Sequence, residues 1–406
     1  MKKIFVVLFQ LLFTVLSFGQ NIKSIQLRTN ENNFSAIVPL GTILELSFDD
    51  LDADSKDYQY KIEHMTHDWK KSRLLSSQYI DGFDQNTIIN VTNSFNTFQS
   101  YTHYSVKIPN RNTIITKSGN YLLSVLNTYD EVIFTRKFVL YENAATVGVA
   151  VSRSRNATKL DTQQTVEFSI SHPKLRINNP QQEVNVVLIK NDNWNKIITG
   201  LQPTFFQQNS LRYTYSNKTN FYGENEYLNF DSKIIRNKSL NIVKITQKNR
   251  EVFHHYIYPT EYNPNIKYTY NPDINGQFII RTLEGNTPST EADYAMMHFT
   301  LKAETPFLDE DVYVYGAFNN FEISDENKMK YNLNINAYTA EILLKQGFYN
   351  YTFVTANKYK EFDYKKVMGS FFQTENEYKV IVYFKAIGAL YDRVVGVGSG
   401  VFNPDR

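Results

Sequence analysis

After Gln20 almost every segment of the chain alternates apolar and polar residues with a period of two. In "EVNVVLI" (183–189) Val184, Val186 and Leu188 share one face. In "YNYTFV" (349–354) Tyr349, Tyr351 and Phe353 do so, and in "YKVIVYF" (378–384) Tyr378, Val380, Val382 and Phe384. Successive strand side chains point to opposite faces of a sheet, so this spacing belongs to half-buried strands. The 29 Tyr and 29 Phe point the same way, because wide rings fit a pleated surface. No long segment carries a helical period, and short helices are expected only near 68–80 and 226–236. Short alternating runs joined by close turns predict an all-β chain of tandem β-sandwiches.

The 406 residues exceed what one core ordinarily serves. Residues 20–141 read as an N-terminal β-sandwich, closed by "YLLSVLNTYDEVIFTRKFVLY" with a hairpin turn at Asn127-Thr128-Tyr129-Asp130. The small, polar "ENAATVG" (142–148) reads as a linker. Residues 147–260 form a middle β domain, "YPTEYNPNIKYTYNPDINGQF" with its prolines marks a joint, 261–396 form a C-terminal sandwich, and 397–406 a flexible tail.

Residues 1–19 have the make-up of a secretory signal peptide: Lys2 and Lys3, then the apolar run "IFVVLFQLLFTVLSF", then Ser17 and Gly19 before a cut between Gly19 and Gln20. The run falls short of the ~20 apolar residues that span a bilayer. The chain has no cysteine, which predicts neither a lipid anchor nor disulfides. The formal charge is +2, so loss of Lys2 and Lys3 leaves the mature chain neutral. A neutral chain has no electrostatic reason to bind nucleic acid or anionic lipid.

The candidates for chemistry are few. In "YQYKIEHMTHDW" (58–69) Tyr58, Tyr60, Ile62 and His64 share one strand face; His64, His67 and Asp68, with distant His103, meet at a metal only if the chain turns sharply. The alternative is a strand ending in a turn, with Trp69 folded back over the open end of the first sandwich. "NPDINGQF" (271–278) imitates a calcium loop through Asn271, Asp273, Asn275 and Gly276, but its twelfth position is Thr282 where the loop needs Glu. "GVGSG" (396–400) has no helix after it to cradle a phosphate. Asp49/Asp50 and Glu375/Glu377 carry no mark of a catalytic pair, and His254-His255 lie in a strand pattern. The reading is therefore of no catalytic residue, no metal and no cofactor.

Two resemblances follow from particular motifs. "DVYVYGAFNNFE" (311–322), "MKYN" (329–332) and "YTAEILLKQGFYNYTFV" (338–354) resemble the immunoglobulin-like early-set sandwich of glycogen- and starch-binding modules. That implies the fold, while Phe321 where such modules have Trp, with no Trp after Trp194, leaves the sugar platform incomplete. The longer resemblance runs through "LELSFDDLDADSKDYQYKIEHMTHDW", "YTHYSVKIPN", "SGNYLLSVLN", "PDINGQF", "VYVYGAFNNF", "KQGFYNYTFV" and "QTENEYKVIVYFKAIGALYDRVVGV". In order and spacing these are similar to the type IX secretion system plug protein family of Bacteroidetes. The resemblance implies a non-enzymatic periplasmic protein, peripheral at the outer membrane. It would bind and seal the periplasmic opening of the giant translocon barrel when that is idle, as a monomer in the complex and without entering the membrane. A periplasmic carbohydrate-binding protein is the alternative.

Overall fold

The computed structural model describes residues 21–30 and 33–402. Gly19 and Gln20, and with them the expected cleavage site, lie outside the described residues. The regular structure of the described residues is almost entirely strand, folded into three two-layered sandwiches.

The first sandwich holds one sheet in the order Ile22–Arg28, Leu44–Asp50, Thr102–Ile108, Asn90–Asn93. The facing sheet runs Ile37–Pro39, Val132–Tyr141, Gly119–Leu126, Gln59–Met65, Gln85–Thr87. The alternation in Gln59–Met65 is realised as expected: Tyr60, Ile62 and His64 are buried and the residues between them are not. Tyr60 and Ile62 join Phe48, Tyr104 and Tyr121 in a core rich in tyrosine. The hairpin turn forms where predicted, with Asn127 Oδ1 accepting from the Tyr129 and Glu131 amides at 2.9 and 3.0 Å.

The other two units depart from the expected order. One sheet of the second sandwich runs Thr146–Arg153, Gln163–Ser171, Ser210–Tyr213, Phe205–Gln207, but its partner runs Asn193–Ile198, Val184–Lys190, Asn376–Phe384, Arg393–Phe402. Val184 pairs with Phe384 and Lys190 with Tyr378. The last two strands thus belong to the second unit, and the third sandwich, from Leu228–Asp231 to Phe362–Asp363, is inserted within it. Residues 376–396 are therefore not part of the C-terminal sandwich as expected, and 397–402 are strand, not tail. The proline-rich joint also moves: Thr260–Glu261 pairs with Leu301–Lys302 and Phe278 with Tyr349, both inside the third sandwich. Near 68–80 the chain forms one short 3-10 turn, Ser76–Gln78, and near 226–236 a strand takes the place of the expected helix.

"GVGSG" finds its reason in this topology. A Cβ on Gly396 would meet the Ala145 carbonyl oxygen at 2.6 Å, and one on Gly398 the Val147 carbonyl oxygen at 2.4 Å. The alternate glycines let Arg393–Phe402 press against the start of the second sandwich. The supposed linker is held there too, with the Glu142 and Ala144 amides bonded to the Val394 and Val395 carbonyls at 2.8 and 2.9 Å.

The first and second sandwiches meet in an apolar seam of Ile37, Val139, Val187, Ile381, Tyr383 and Val394, flanked by Trp69 and Trp194. The two indoles meet edge to face at 4.8 Å, and the Lys137 ammonium stands 4.8 Å from the Trp69 ring. Trp69 therefore covers a joint between units where an open sandwich end was expected. Edge-to-face pairs contribute about 0.5–1.5 kcal/mol beyond the area they bury. In a double-mutant cycle of Trp69→Ala and Trp194→Ala, followed by denaturant unfolding, the coupling energy is expected near 1 kcal/mol. A coupling of zero would remove the indole pair from the joint.

Candidate functional site

The corner "HMTHDW" separates its histidines. His64 ends a buried strand face, its ring 5.1 Å from Tyr121 and 5.5 Å from both Tyr79 and Tyr391. Burial drives its pKa down to about 4, so the ring is neutral near pH 7. Gly119 makes the room: a Cβ there would lie 2.2 Å from His64 Nε2, and its φ is +157°. Beyond Met65 the chain turns tightly, with the Thr66 amide bonded to the Lys70 carbonyl at 2.7 Å and Trp69 at φ +61°. His67 thereby leaves in another direction, its amide and Nδ1 standing 3.0 and 3.2 Å from Asp392 Oδ2 on the second sandwich. Asp68 is exposed beside Lys70 at 2.7 Å. His103 belongs to yet another cluster. The four metal candidates do not converge.

His103 sits at the joint of the first and third sandwiches. Its Nδ1 lies 2.6 Å from Asp49 Oδ1, while Asp49 Oδ2 accepts from Lys345 Nζ and the Tyr294 hydroxyl, both at 2.7 Å. Asp49 is 1% exposed. Burial works to raise its pKa, but Lys345 and His103 outweigh it and hold the carboxylate below its usual range. Lys345 Nζ also donates to the Ser289 carbonyl at 2.7 Å and lies 4.0 Å from the Tyr101 ring. Asp293 extends the joint, accepting the Phe98 and Gln99 amides at 2.6 and 3.1 Å. Asp49 is thus a buried staple. Its neighbour Asp50 serves elsewhere, bonded to Tyr58 and Lys56 at 2.9 Å each. Asp50, Asp52 and Asp54 form a triple of carboxylates close enough for a metal, but the Lys56 ammonium stands among them and pairs with all three.

The calcium-like loop is a backbone clamp. Asp273 is half-buried and accepts the Tyr227 and Asn275 amides at 2.5 and 2.6 Å, and its partial desolvation pushes its carboxyl up to about 7. Thr282, at the twelfth position, accepts the Glu284 amide at 3.0 Å. The sugar platform is missing as well: Phe321 is 6% exposed and packs 5.5 Å from Tyr315, and Phe318 stands 6.0 Å from the Tyr349 ring. His254 pairs with His298 at 2.8 Å, and His255 Nε2 lies 2.8 Å from the buried Ile235 carbonyl. The Glu375 amide bonds to Glu226 at 3.1 Å, and Glu377 pairs with Lys379 at 3.4 Å.

The linkers into and out of the third sandwich are tied to each other. Glu224 accepts from Lys196 at 2.5 Å and from Lys190 at 3.4 Å, and its carbonyl accepts the Phe371 amide and the Thr374 hydroxyl at 2.8 Å each. Asn195 Nδ2 reaches the Phe321 carbonyl at 2.6 Å across the same joint. Where all three sandwiches meet, a cavity of about 210 Å³ is lined by Arg136, Trp194, Phe278, Phe321 and Glu322. Arg136 donates to the Thr135 carbonyl at 2.8 Å, and burial lowers its pKa to about 10. The lining brings a cation and aromatic rings together with no nucleophile beside a base. The arrangement is that of three bodies locked at three joints.

Two measurements check this account. Lys345→Met leaves Asp49 buried without its cation, and such removals cost about 3–5 kcal/mol; chemical denaturation should show the loss, and an unchanged midpoint would contradict it. A histidine held neutral in the fold but free to protonate when unfolded stabilises fully above pH ~6.5, and that contribution falls as pH drops toward 4. For His64 the span is about 3 kcal/mol. His64→Phe should flatten the stability profile between pH 6.5 and 4, and a slope equal to wild type in that window would contradict the neutral ring.

Comparison with known proteins adds the following. The family described as type 9 secretion system plug protein, 1st domain, matches residues 22–142, which is the first sandwich. No curated protein matches the chain. Among solved structures, a hypothetical protein from Parabacteroides merdae is similar at 30% identity, with 94% of this chain and 97% of that chain covered and a TM-score of 0.89. The similarity therefore extends over all three sandwiches. The chain belongs to the type IX secretion system plug protein family.

Proposed function

We propose that the protein is a non-enzymatic periplasmic plug, which docks as one rigid body on the periplasmic opening of the type IX outer-membrane translocon and seals it when it is idle. The match of the first sandwich to the plug family carries this reading. The joints support it, because a body that closes a wide pore must not bend between its units. Asp49–Lys345, Trp69–Trp194 and the Glu224 linker tie each pair of sandwiches together. The residues that chemistry would need are engaged in holding the fold, which favours a binding role over catalysis.

The mature chain is neutral, so docking rests on shape and apolar contact more than on charge steering. A stable complex of this kind buries roughly 1,200–2,000 Å². Affinity capture of the tagged protein from detergent-solubilised outer membranes should bring down the translocon barrel, with retention nearly constant from low to moderate salt. Deleting the gene should leave the barrel in place and the outer membrane more permeable to large solutes such as vancomycin. Capture without the barrel, together with unchanged permeability, would defeat the reading.

A further inference from the structure

One tract of the sequence is unusual for a chain that is 21% charged: from Gln85 to Val106 there is no Asp, Glu, Lys or Arg. The fold puts this tract at an edge. Gln85–Thr87 ends one sheet of the first sandwich, the chain crosses at Ile88 and Ile89, and Asn90–Asn93 ends the other. Asn90, Val91, Thr92 and Asn93 pair inward with Ser105, Tyr104, His103 and Thr102. All four are exposed, and among the described residues no strand pairs with their outer side.

Open edges are ordinarily guarded by Lys, Pro or cover, because their free amides and carbonyls recruit other strands. Several other edges of the molecule follow that rule. Ile22–Arg28 lies on the third sandwich through Ser24, bonded to Tyr294 at 2.7 Å, and through the ion pair Lys23–Glu326 at 2.6 Å. Ile37–Pro39 carries its proline. Asn193–Ile198, Ile242–Thr246 and Lys330–Asn332 carry Lys196, Lys244 and Lys330. Phe205–Gln207 lacks a charge of its own, but it is three residues long and Arg212 stands directly opposite Phe205.

The unguarded edge is also held rigidly and flanked by apolar groups. Ile89 is 85% exposed and Phe95 68% exposed. The loop after the strand is fastened to the third sandwich by the Phe95 amide on the Thr290 carbonyl at 2.9 Å and by Phe98 against Phe253 at 5.2 Å. Little ordering is left to do on binding, which favours affinity.

We propose that Asn90–Asn93 is a docking edge, which takes up an extended, uncharged segment of the partner protein as an added β-strand, with Ile89 and Phe95 as apolar anchors at its two ends. The partner's identity rests on the plug reading above. Main-chain bonds to an open edge hold any extended chain, and the flanking side chains select among them. Here the selection is for neutrality: a charged residue laid against this uncharged tract would lose water and gain no counter-ion. Four residues span about 13 Å, enough to fix orientation but not to supply a whole interface.

The test uses the full mature protein and translocon-containing outer membranes in detergent. Ile89→Lys and Thr92→Lys place the missing guard on exposed positions, and Phe206→Lys does the same on the second sandwich as a control. Ile89→Lys and Thr92→Lys should each lower retention on the translocon at least tenfold, with melting temperature and monomeric elution unchanged, while Phe206→Lys binds as wild type. Retention of both edge variants at the wild-type level would overturn the docking edge, as would loss confined to Phe206→Lys. A wild-type dimer in light scattering that Thr92→Lys converts to monomer would assign the edge to a second copy of this chain and overturn the proposed occupant. If wild type itself is not retained, the plug reading fails and takes this proposal with it; loss in the edge variants alone tells the two apart.

Discussion

The mutual placement of the sandwiches depends on one carboxylate kept from water. Asp49 sits on the first sandwich, and two of its three donors, Lys345 and Tyr294, come from the third. A charge buried there is tolerable only with every lone pair engaged, and displacement of either sandwich by an ångström or two would leave it unpaired. Apolar seams tolerate small slips, since greasy surfaces fit in many registers. This joint has one solution. The indole pair, the His67–Asp392 contact and the tied linkers then close a triangle whose third side was set by the other two.

Local alternation was enough to read strands, because one buried face per strand writes itself into every second residue. It placed His64 on the core side of its strand, where Tyr121 now faces it, and it found the turn at Asn127–Asp130. It could not find the inserted third sandwich. Val184 and Phe384 pair across two hundred residues, and nothing in either strand names its partner. The glycines at 396 and 398 did hold a clue: their period of two is a strand period, and only the contact with Ala145 and Val147 explains it.

The site residues were legible as types and not as partners. His67 looked like a ligand because the residue that engages it, Asp392, lies 325 positions away. Asp49 carried no mark of its role, since neither Lys345 nor Tyr294 is near it in sequence. Asp273 looked like a calcium ligand because short acidic loops and backbone clamps share a vocabulary of Asp, Asn and Gly. The uncharged tract at 85–106 stands in the sequence, but alternation and motif spacing did not single it out. Its meaning emerged only when the fold placed it on an edge.

The insertion has a consequence for the order of assembly. A chain emerging from its amino end can complete the first sandwich once Tyr141 is out, and domains generally fold as they appear. The second sandwich cannot. Two strands of one of its sheets, Asn376–Phe384 and Arg393–Phe402, emerge last, after the whole of the third sandwich. Until then Val184–Lys190 has one flank bare, and the seam with the first sandwich lacks Tyr383 and Val394. The strands Asn376–Phe384 and Arg393–Phe402 therefore act as a latch. A truncated or stalled chain can fold the first and third sandwiches and join them through Asp49 and Lys345, yet it lacks the closed second sandwich and its seam with the first, so the finished shape is acquired only once these strands are made.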